Sequence, residues 1–393
     1  MISVDAALER VLALVAPVGA ETVPLARADG RVLARDAVAG RAQPPFSASA
    51  MDGYAVAGGD VAPGAVFRVI GAAPAGRRFA GRVGRGEAVR VFTGAPMPDG
   101  TDRVVIQEDA TAEDDRIVVG AGPDPGPYIR PRAGDFDAGD RLFAGTALTP
   151  AHVMLLAAMN VAEVTVARRP RVAILATGDE LVPPGGAPRD DQIIASNGPG
   201  LAALLARAGA DPCLLPIARD DVEVLRGALA LAVDADLIVT TGGASVGEHD
   251  LMARAAGALG LERAFHKVAM RPGKPLMAGR LEGVPLVGLP GNPVSCFVCG
   301  TVFLVPAIHA MTGRPAGPLP RRHAPLAAAL PANGPREHYM RATWEARALR
   351  AAPSQDSSLQ RVLAEAQALI VRPPFDPPRT TGETVAYLPL AHE

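Results

Sequence analysis

The stretch TTGGASVGEHD, residues 240–250, follows the apolar run DLIV and decides how the middle of this chain folds. Branched apolar residues without polar alternation indicate a parallel strand covered on both faces, and such sheets bind ligands beyond the carboxyl ends of their strands. Glycines allow positive φ and a close approach of the backbone to a ligand, and the N-terminus of a following helix attracts anions. The loop therefore indicates a phosphate site, although an ordinary glycine-rich turn capped by Asp250 explains the same letters.

The pattern around this loop alternates between strand and helix. We predict strands at RVAILAT, CLLPIA, DLIVT, ERAFHKVAM, PLMAG and PLVGLP, and helices at NGPGLAALLARAGA, DDVEVLRGALALAV and PVSCFVCGTVFLVPAIHAM. The last helix contains a C-x-x-C pair, Cys296 and Cys299, whose apolar surroundings favour a buried helix over a redox or metal pair. The alternation predicts a doubly wound α/β domain over residues 169–320.

The segments on either side differ in texture. Short strands broken by Gly, Pro and Asp predict a β-rich domain over 44–136. Residues 1–43 and 137–168 are predicted to form one discontinuous N-terminal linker and dimerisation domain, into which the β-rich part is inserted. Short strands beyond residue 320 predict a small C-terminal β-domain over 321–393. The fold class is therefore multidomain α/β plus β, and 393 residues suffice for several cores.

The composition limits the class of partner. Lys and Arg total 39 against 41 Asp and Glu, a net charge of −2, so no overall field favours nucleic acid or a membrane surface. The first residues carry charges at helical spacing, unlike a secretory signal, and we expect no apolar stretch long enough to span a membrane. Three cysteines are too few for a disulfide framework. We therefore expect a soluble, cytoplasmic protein with no nucleic-acid or membrane partner.

Charged residues follow several of the predicted strands. Asp179 and Glu180 lie just past the first strand, and Arg271 and Lys274 flank a glycine in RPGKP. Glycine loops, cations and carboxylates at one sheet edge fit a phosphorylated ligand with a divalent cation, because cations and N–H groups hold the anion while carboxylates hold Mg²⁺. Taken singly, each residue is explained as well by a helix cap, a turn or a solvated charge. Neither GxxxxGK[ST] nor GxGxxG is present, which argues against a P-loop or dinucleotide-binding fold.

Six motifs occur in order over almost the whole chain: SAMDGYAV, FTGAPMPDG, TGDEL, GGASVGEHD, MRPGKP and GLPGNPVS. Together they resemble the molybdopterin molybdenumtransferases, the family that includes the bacterial MoeA type and the gephyrin E domain. The resemblance implies an enzyme that takes adenylylated molybdopterin and molybdate, releases AMP with the help of Mg²⁺, and places the metal on the dithiolene sulfurs. The alternative is a molybdopterin-binding or scaffolding protein of the same fold that lacks metal insertion.

The resemblance also implies roles for individual residues. Catalytic roles fall to Asp52, Thr93, Glu180, Asp220 and Asp250, and Mg²⁺ binding to Glu180, Asp220 and Asp250. Contacts to the pterin, nucleotide or oxyanion fall to a larger set: Asp179, Gly242, Gly243, Ser245, Gly247, Lys267, Arg271, Lys274, Pro290, Asn292, Pro293, Arg336, Arg341, Ser357 and Ser358. Within that set the resemblance places either Arg336 or Arg341, and either Ser357 or Ser358, beside molybdate.

The resemblance further implies how the protein assembles. Such enzymes are homodimers with a shared site, so Asp52 and Thr93 are expected to complete the site of the other subunit. A molybdopterin adenylyltransferase is a possible partner, and the sequence does not identify the protein that delivers the pterin. Many members of the family carry lysine where this chain has Arg271, which keeps the charge but changes the geometry of its donors.

Overall fold

The structure, a computed structural model, describes residues 1–232, 234–242, 257 and 260–390. Contacts between residues group the chain into two compact units. The first unit contains Met1–Glu21, Gly30–Ala34 and Val166–Glu393, and the second contains Thr22–Asp29 and Arg35–Thr165. The four predicted domains divide the chain more finely than this grouping, and their boundaries stay a prediction.

The second unit is mainly β-structure. Helix α1 (Val4–Leu14), which belongs to the first unit, precedes it, and helix α2 (Pro150–Ala158) lies near its end. The strands up to residue 167 are β1 (Ala20–Pro24), β2 (Ala37–Val38), β3 (Ala48–Ser49), β4 (Gly53–Val56), β5 (Val66–Ala73), β6 (Glu87–Val91), β7 (Arg103–Ile106), β8 (Ala110–Glu113), β9 (Arg116–Val119), β10 (Ile129–Arg130), β11 (Arg141–Leu142) and β12 (Glu163–Ala167). One sheet has the order β7-β4-β6-β5-β9-β8, and it carries a separate apolar cluster on each face. The β-rich part predicted from the sequence is thus confirmed.

The central part of the first unit is an α/β layer structure. Its helical elements are α3 (Asn197–Ala208), α4 (Val222–Ala230), α5 (Pro293–Cys299), a π-helical segment (Gly300–Leu304) and α6 (Val305–Met311). Its strands are β13 (Arg171–Ala176), β14 (Leu181–Val182), β15 (Ile193–Ile194), β16 (Asp211–Leu214), β17 (Leu237–Thr241), β18 (Glu262–His266), β19 (Met270–Arg271), β20 (Met277–Leu281) and β21 (Val284–Leu289). Six of these strands form one sheet in the order β16-β13-β17-β21-β20-β18.

The direction of the strands in this sheet is mixed. Strands β16, β13, β17 and β21 are parallel, whereas β20 runs antiparallel to both β21 and β18. The register pairs Ala176 with Thr241 and Thr241 with Leu289, so three parallel strands end at one level. The loops that follow these three strands therefore meet at one edge of the sheet.

Both faces of this sheet are covered, as the unbroken apolar strands predicted. On β13, Ile174 packs into a cluster with α1, α3 and the helix that starts at α5, while its neighbour Leu175 packs into a second cluster with Leu225 of α4. On β17, Val239 and Ile238 divide between the two clusters in the same way. Successive side chains of a strand point to opposite faces, so this division requires helices on both sides.

The helix that runs from α5 through α6 corrects one expectation. Within the described residues, Pro293–Met311 is long and apolar enough to cross a membrane, so the expectation that no such stretch exists is wrong. Most of this helix is buried inside the protein, and a core helix meets the same criteria of length and composition. It supplies Val294, Val298 and Phe303 to the main apolar cluster.

A second sheet closes the first unit. Its elements are β22 (Arg322–Pro325), β23 (Glu337–Glu345), β24 (Ala348–Ala351), helix α7 (Gln360–Glu365), β25 (Ala368–Arg372) and β26 (Thr384–Pro389). The order is β19-β23-β25-β26-β22, with β24 on β23. Strand β19 therefore links the cation-containing RPGKP segment to the C-terminal sheet by parallel pairing with β23.

Two arginines in the C-terminal sheet share one buried acid. Asp376 is 6% exposed and accepts hydrogen bonds from Arg372 and from Arg379, the latter at 2.6 Å. Arg372 is 2% exposed and also donates to the carbonyl of Pro377 at 2.8 Å. Burial opposes ionisation of Asp376, but the hydrogen bonds from Arg379 and Arg372 outweigh it and lower the pKa of this carboxyl. The cluster is a buried, fully paired ionic element.

Candidate functional site

A cavity of about 830 Å³ lies beyond the carboxyl ends of β13, β17 and β21. It is where the sequence predicted ligands to bind, since the register brings these three strand ends to one level. Seven of the predicted site residues line it: Glu180, Asp220, Gly242, Pro290, Asn292, Pro293 and Ser358. The loops after the first, third and fourth parallel elements therefore share one concave surface.

One side of the cavity is acidic. Glu180 and Asp220 both line it, and the N–H of Asp220 donates to the carboxylate of Asp179 at 3.3 Å. Burial, and then the charges of Asp179 and Glu180, raise the pKa of the Asp220 carboxyl. The carboxylates of Asp179, Glu180 and Asp220 thus repel one another at this side of the cavity. In the part of the chain that the structure describes, no three Asp, Glu, His or Cys side chains are grouped closely enough to hold a metal.

Four predicted residues, Gly243, Ser245, Gly247 and Asp250, lie outside the described residues. The first glycine of the pair, Gly242, is described and has φ of +91°. A Cβ atom at this position would lie 2.3 Å from the carbonyl oxygen of Thr177. The N–H of Thr177 in turn donates to the carbonyl of Thr241 at 2.9 Å. Close packing of two strand ends, and not a ligand, therefore accounts for this glycine.

We expect Gly242→Ala to lower the free energy of unfolding by about 2–4 kcal/mol, because it adds left-handed strain to a backbone clash. Urea denaturation of the full chain measures the loss. Gly283→Ala is the matched control: Gly283 has φ of +84°, and a Cβ there would meet no other atom within 4 Å. Only the strain should appear in that variant, about 1–2 kcal/mol. Equal losses in the two variants would show that the contact with Thr177 is unimportant.

Several cavity residues were not predicted from the sequence, and two of them carry polar groups of particular interest. The hydroxyl of Thr177 is buried, and it has no hydrogen-bond partner among the described residues. Asn197, at the start of α3, lines the same cavity and donates to the carbonyl of Gly291 at 2.7 Å. Thr177 could have been found from its place directly after a buried strand, in the same motif as Glu180. Its unpaired hydroxyl is available to a polar ligand.

The cation loop, residues 267–275, lies beside the cavity and contributes Pro275 to its lining. The N–H of Val268 donates to the carbonyl of Lys274 at 3.0 Å, which closes the loop. Gly273 has φ of +111°, and a Cβ there would lie 2.5 Å from the Sγ atom of Cys299 in α5. The loop is thus held against the helix whose first residue, Pro293, lines the cavity. Arg271 and Lys274 are exposed, but neither they nor Lys267 line the cavity itself.

The two arginines between which the sequence left the choice open differ in their surroundings. Arg341 is 1% exposed, and its guanidinium donates to the carbonyls of Ser354 and Leu359, both at 3.3 Å. It therefore supports the loop 354–359 from inside. Arg336 is half-buried and donates only to the carbonyl of Met270, at 3.5 Å, among the described residues.

The loop supported by Arg341 carries both predicted serines. Ser358 lines the cavity, and its hydroxyl donates to Asp356 at 2.7 Å. Ser357 accepts a hydrogen bond from the side chain of Asn292 at 2.9 Å, which fixes the loop to the start of α5. Of the four residues, Ser358 lines the cavity, and Arg336 is the more exposed of the two arginines.

In the second unit, Asp52 and Thr93 lie together, and their proposed place in the site of another subunit stays a prediction. The N–H and the hydroxyl of Thr93 donate to one oxygen of Asp52, at 2.8 and 2.9 Å. These bonds, the backbone one first, lower the pKa of the Asp52 carboxyl, with a smaller contribution from the charge of Arg90. Arg90 was missed by sequence reasoning. Its guanidinium lies 4.8 Å from the ring centre of Tyr54 and 5.2 Å from that of Phe92.

The C-x-x-C pair belongs to the core, as predicted. Cys296 and Cys299 are both buried and free, and Cys299 contacts the sulfur of Met270 at 3.9 Å. Burial raises the pKa of the Cys296 thiol to about 12 and that of Cys299 well above its ordinary value. Thiols in this state are poor nucleophiles and poor metal ligands.

The fold and the cavity define a multidomain α/β protein with a polar cavity at the edge of its central sheet. Three family models match the chain along its length. They describe the MoeA N-terminal region (domain I and II) at residues 2–160, a probable molybdopterin binding domain at 173–310, and the MoeA C-terminal region (domain IV) at 323–390.

Known proteins agree with these models. A molybdopterin molybdenumtransferase from Nostoc sp. is 38% identical over 75% of this chain and 70% of its own length. Molybdopterin molybdenumtransferase 2 from Mycobacterium tuberculosis is 38% identical over 82% of each chain. A crystal structure of the molybdopterin biosynthesis MoeA protein from Pyrococcus horikoshii is 30% identical, with a TM-score of 0.85 over 100% of both chains. The chain therefore belongs to the MoeA family.

Proposed function

We propose that this chain is a transferase of molybdenum cofactor biosynthesis that inserts molybdenum from molybdate into adenylylated molybdopterin and releases AMP. One observation carries the proposal: a cavity lined by Glu180 and Asp220 adjoins a loop of cations. The same buried helix contributes Pro293 to the cavity wall and packs through Cys299 against Gly273 of the cation loop. The curated relatives carry the name of this activity. A phosphoanhydride and an oxyanion repel each other, and this pairing of acids and cations suits them both.

The acidic side of the cavity fits Mg²⁺. Glu180 and Asp220 are oxygen donors of the kind that Mg²⁺ prefers, and the raised pKa of Asp220 reflects charge that a cation would relieve. Bound Mg²⁺ would neutralise charge on the phosphoanhydride during its hydrolysis. Glu180 and Asp220 would hold it, with Asp250 as the further ligand proposed from the family resemblance. Thr177 would donate its unpaired hydroxyl to the phosphate.

The cation loop would hold the oxyanion. A tetrahedral dianion needs several donors at fixed positions, and guanidinium groups supply two parallel donors each. Arg271, Lys274, Lys267 and Arg336 are the cations proposed for this role. Ser358, which lines the cavity, would add a hydroxyl. The chain's own residues would thus keep nucleotide and oxyanion apart until the pterin sulfurs are in place.

A second copy of the chain would complete the site. Helix α2 is apolar all round, yet Met154 is 76% exposed, and only Leu156 of this helix is fully buried. Such a helix is typical of an interface. We propose a homodimer in which Asp52 and Thr93 reach the cavity of the partner subunit, with a molybdopterin adenylyltransferase delivering the pterin in the cytoplasm. Sedimentation equilibrium tests it, and a monomer at assay concentration would contradict the shared site.

The activity is tested by incubating the purified protein with adenylylated molybdopterin, molybdate and Mg²⁺. We expect AMP release that requires all three, and chelation of Mg²⁺ should abolish it. Pterin that stays bound with no AMP above background would instead support the binding or scaffolding alternative. Measuring pterin binding in the same samples separates these outcomes from a misfolded preparation.

A further inference from the structure

His338 is the least expected polar residue of the C-terminal sheet. It is 6% exposed, and its Nε2 atom has no hydrogen-bond partner among the described residues. Leaving a buried polar atom unpaired destabilises a fold, so such an atom in a native structure needs an explanation. The proposed function described above gives His338 no role that would explain its unpaired Nε2 atom.

The register places His338 in a row of cations. On β23, His338 pairs directly with Arg271 of β19 on one side and with Arg372 of β25 on the other. Residues that pair across strands project to the same face of a sheet. The three side chains therefore form one row, and the charge of Arg336, two residues earlier in the chain, also acts on His338.

The charges in this row are compensated at one end only. Arg372 is paired with Asp376. No ion pair joins Arg271 or Arg336 to a carboxylate within the part of the chain that the structure describes. Burial, and then the charges of Arg271, Arg372, Arg336 and Arg341, lower the pKa of His338 to about 4. A neutral imidazole thus stands beside two guanidinium groups that lack counterions.

We propose that His338 is a proton-linked positioning residue of the oxyanion site, which takes up one proton from solvent when a dianion binds at Arg271 and Arg336. The inference rests on the proposed function, which puts the oxyanion at these two arginines. Because Nε2 is buried, the imidazolium acts on the dianion through its charge and not by direct contact. When the dianion binds, protonated His338 joins Arg271 and Arg336 as a third cation. Without the dianion His338 stays neutral, so three positive charges do not repel one another in the empty site.

The linkage fixes the direction of the pH effect. A dianion offsets the positive potential that disfavours the imidazolium, so the pKa of His338 is higher in the complex than in the free protein. Binding therefore takes up a proton, and affinity rises as the pH falls. The dianion offsets the neighbouring charges but not the burial, so a return of the pKa from about 4 to its ordinary 6.5 is the upper limit; it corresponds to an increase in affinity of about 30-fold between pH 8 and pH 5.

Isothermal titration with sulfate, which remains a dianion over this range, tests the proposal on the full-length protein. In the unchanged protein we expect affinity to rise as the pH falls, by up to about 30-fold between pH 8 and pH 5. His338→Asn should lose most of this increase, and the two proteins should have equal affinities at pH 8. The matched control is His323→Asn, because His323 is an exposed histidine on β22 of the same sheet, and it should keep the pH dependence. A pH profile that is unaltered in His338→Asn overturns the proposal.

A second measurement needs no variant at His338. In buffers of different ionisation enthalpy at pH 5.5, the binding enthalpy of the unchanged protein should report a net uptake of up to one proton, and zero uptake would refute the proposal. Arg336→Gln separates this inference from the proposed function. If sulfate binding weakens in Arg336→Gln but the unchanged protein takes up no proton on binding sulfate, only the role of His338 fails. If sulfate affinity does not change in Arg336→Gln, the placement of the oxyanion is wrong and both fail.

Discussion

Glu180→Gln should lower the rate of AMP release by about 100- to 1000-fold and leave the fold intact. The substitution keeps the size of the side chain and removes one negative charge from the acidic side of the cavity. Losing one group that stabilises charge at a reacting phosphate typically has an effect of this size. The concentration of Mg²⁺ that gives half the maximal rate should also rise. Initial rates of AMP release across a Mg²⁺ titration measure both effects.

The matched control for Glu180 is Glu223→Gln in the same domain. Glu223 lies in the first turn of α4, where its exposed side chain pairs with Arg226 at 3.5 Å. Exposed pairs of this kind contribute little, so rate and melting temperature should both stay close to those of the unchanged protein. More than half of the original activity in Glu180→Gln would remove Glu180 from the proposed mechanism.

Asp376→Ala should destabilise the protein by about 3–5 kcal/mol, because it leaves Arg372 buried at 2% exposure without its counterion. Guanidinium chloride unfolding at pH 7 measures the loss. The pKa of Asp376 is lowered in the fold, so its contribution is present above the unfolded value of 3.8 and disappears as the pH falls through the folded one. The difference between variant and unchanged protein should therefore shrink in acid.

An exposed pair with the same spacing serves as the control for Asp376. Arg361 and Glu365 are four residues apart, as Arg372 and Asp376 are, but their side chains are 92% and 60% exposed. Glu365→Ala should cost less than about 0.5 kcal/mol. A similar loss in both variants would mean that burial does not determine the strength of the Asp376 cluster.

The parallel part of the central sheet could be predicted because its strands are apolar throughout and alternate with helices. The antiparallel part was not predicted, although both of its strands were. Strands β20 and β21 are joined by Glu282 and Gly283, both at positive φ, which is the geometry of a tight hairpin turn. The letters LEGVP contained that signal. A glycine-containing pair between two apolar runs predicts a hairpin and reverses the strand direction.

The positions of the acidic residues in the fold could be predicted from the sequence more directly than those of the cations. Strand ends determine where Glu180 and Asp220 lie, so their position follows from the order of the strands. Arg341 is different, because its burial depends on Ser354 and Leu359, which fold over it from another part of the chain. Nothing in the local sequence distinguishes it from Arg336. The roles of Arg90 and His338 depend likewise on cross-strand neighbours that no local pattern reveals.

The long buried helix has a mechanical consequence. Pro293 at its start forms part of the cavity wall, and Cys299, less than two turns later, presses against Gly273 in the cation loop. Because the buried helix has no room to tilt, it keeps the distance between the cavity wall and the cation loop constant. Thermal motion should leave that distance unchanged until the core unfolds. The rates of amide hydrogen exchange near Pro293 and near Gly273 should therefore rise and fall together.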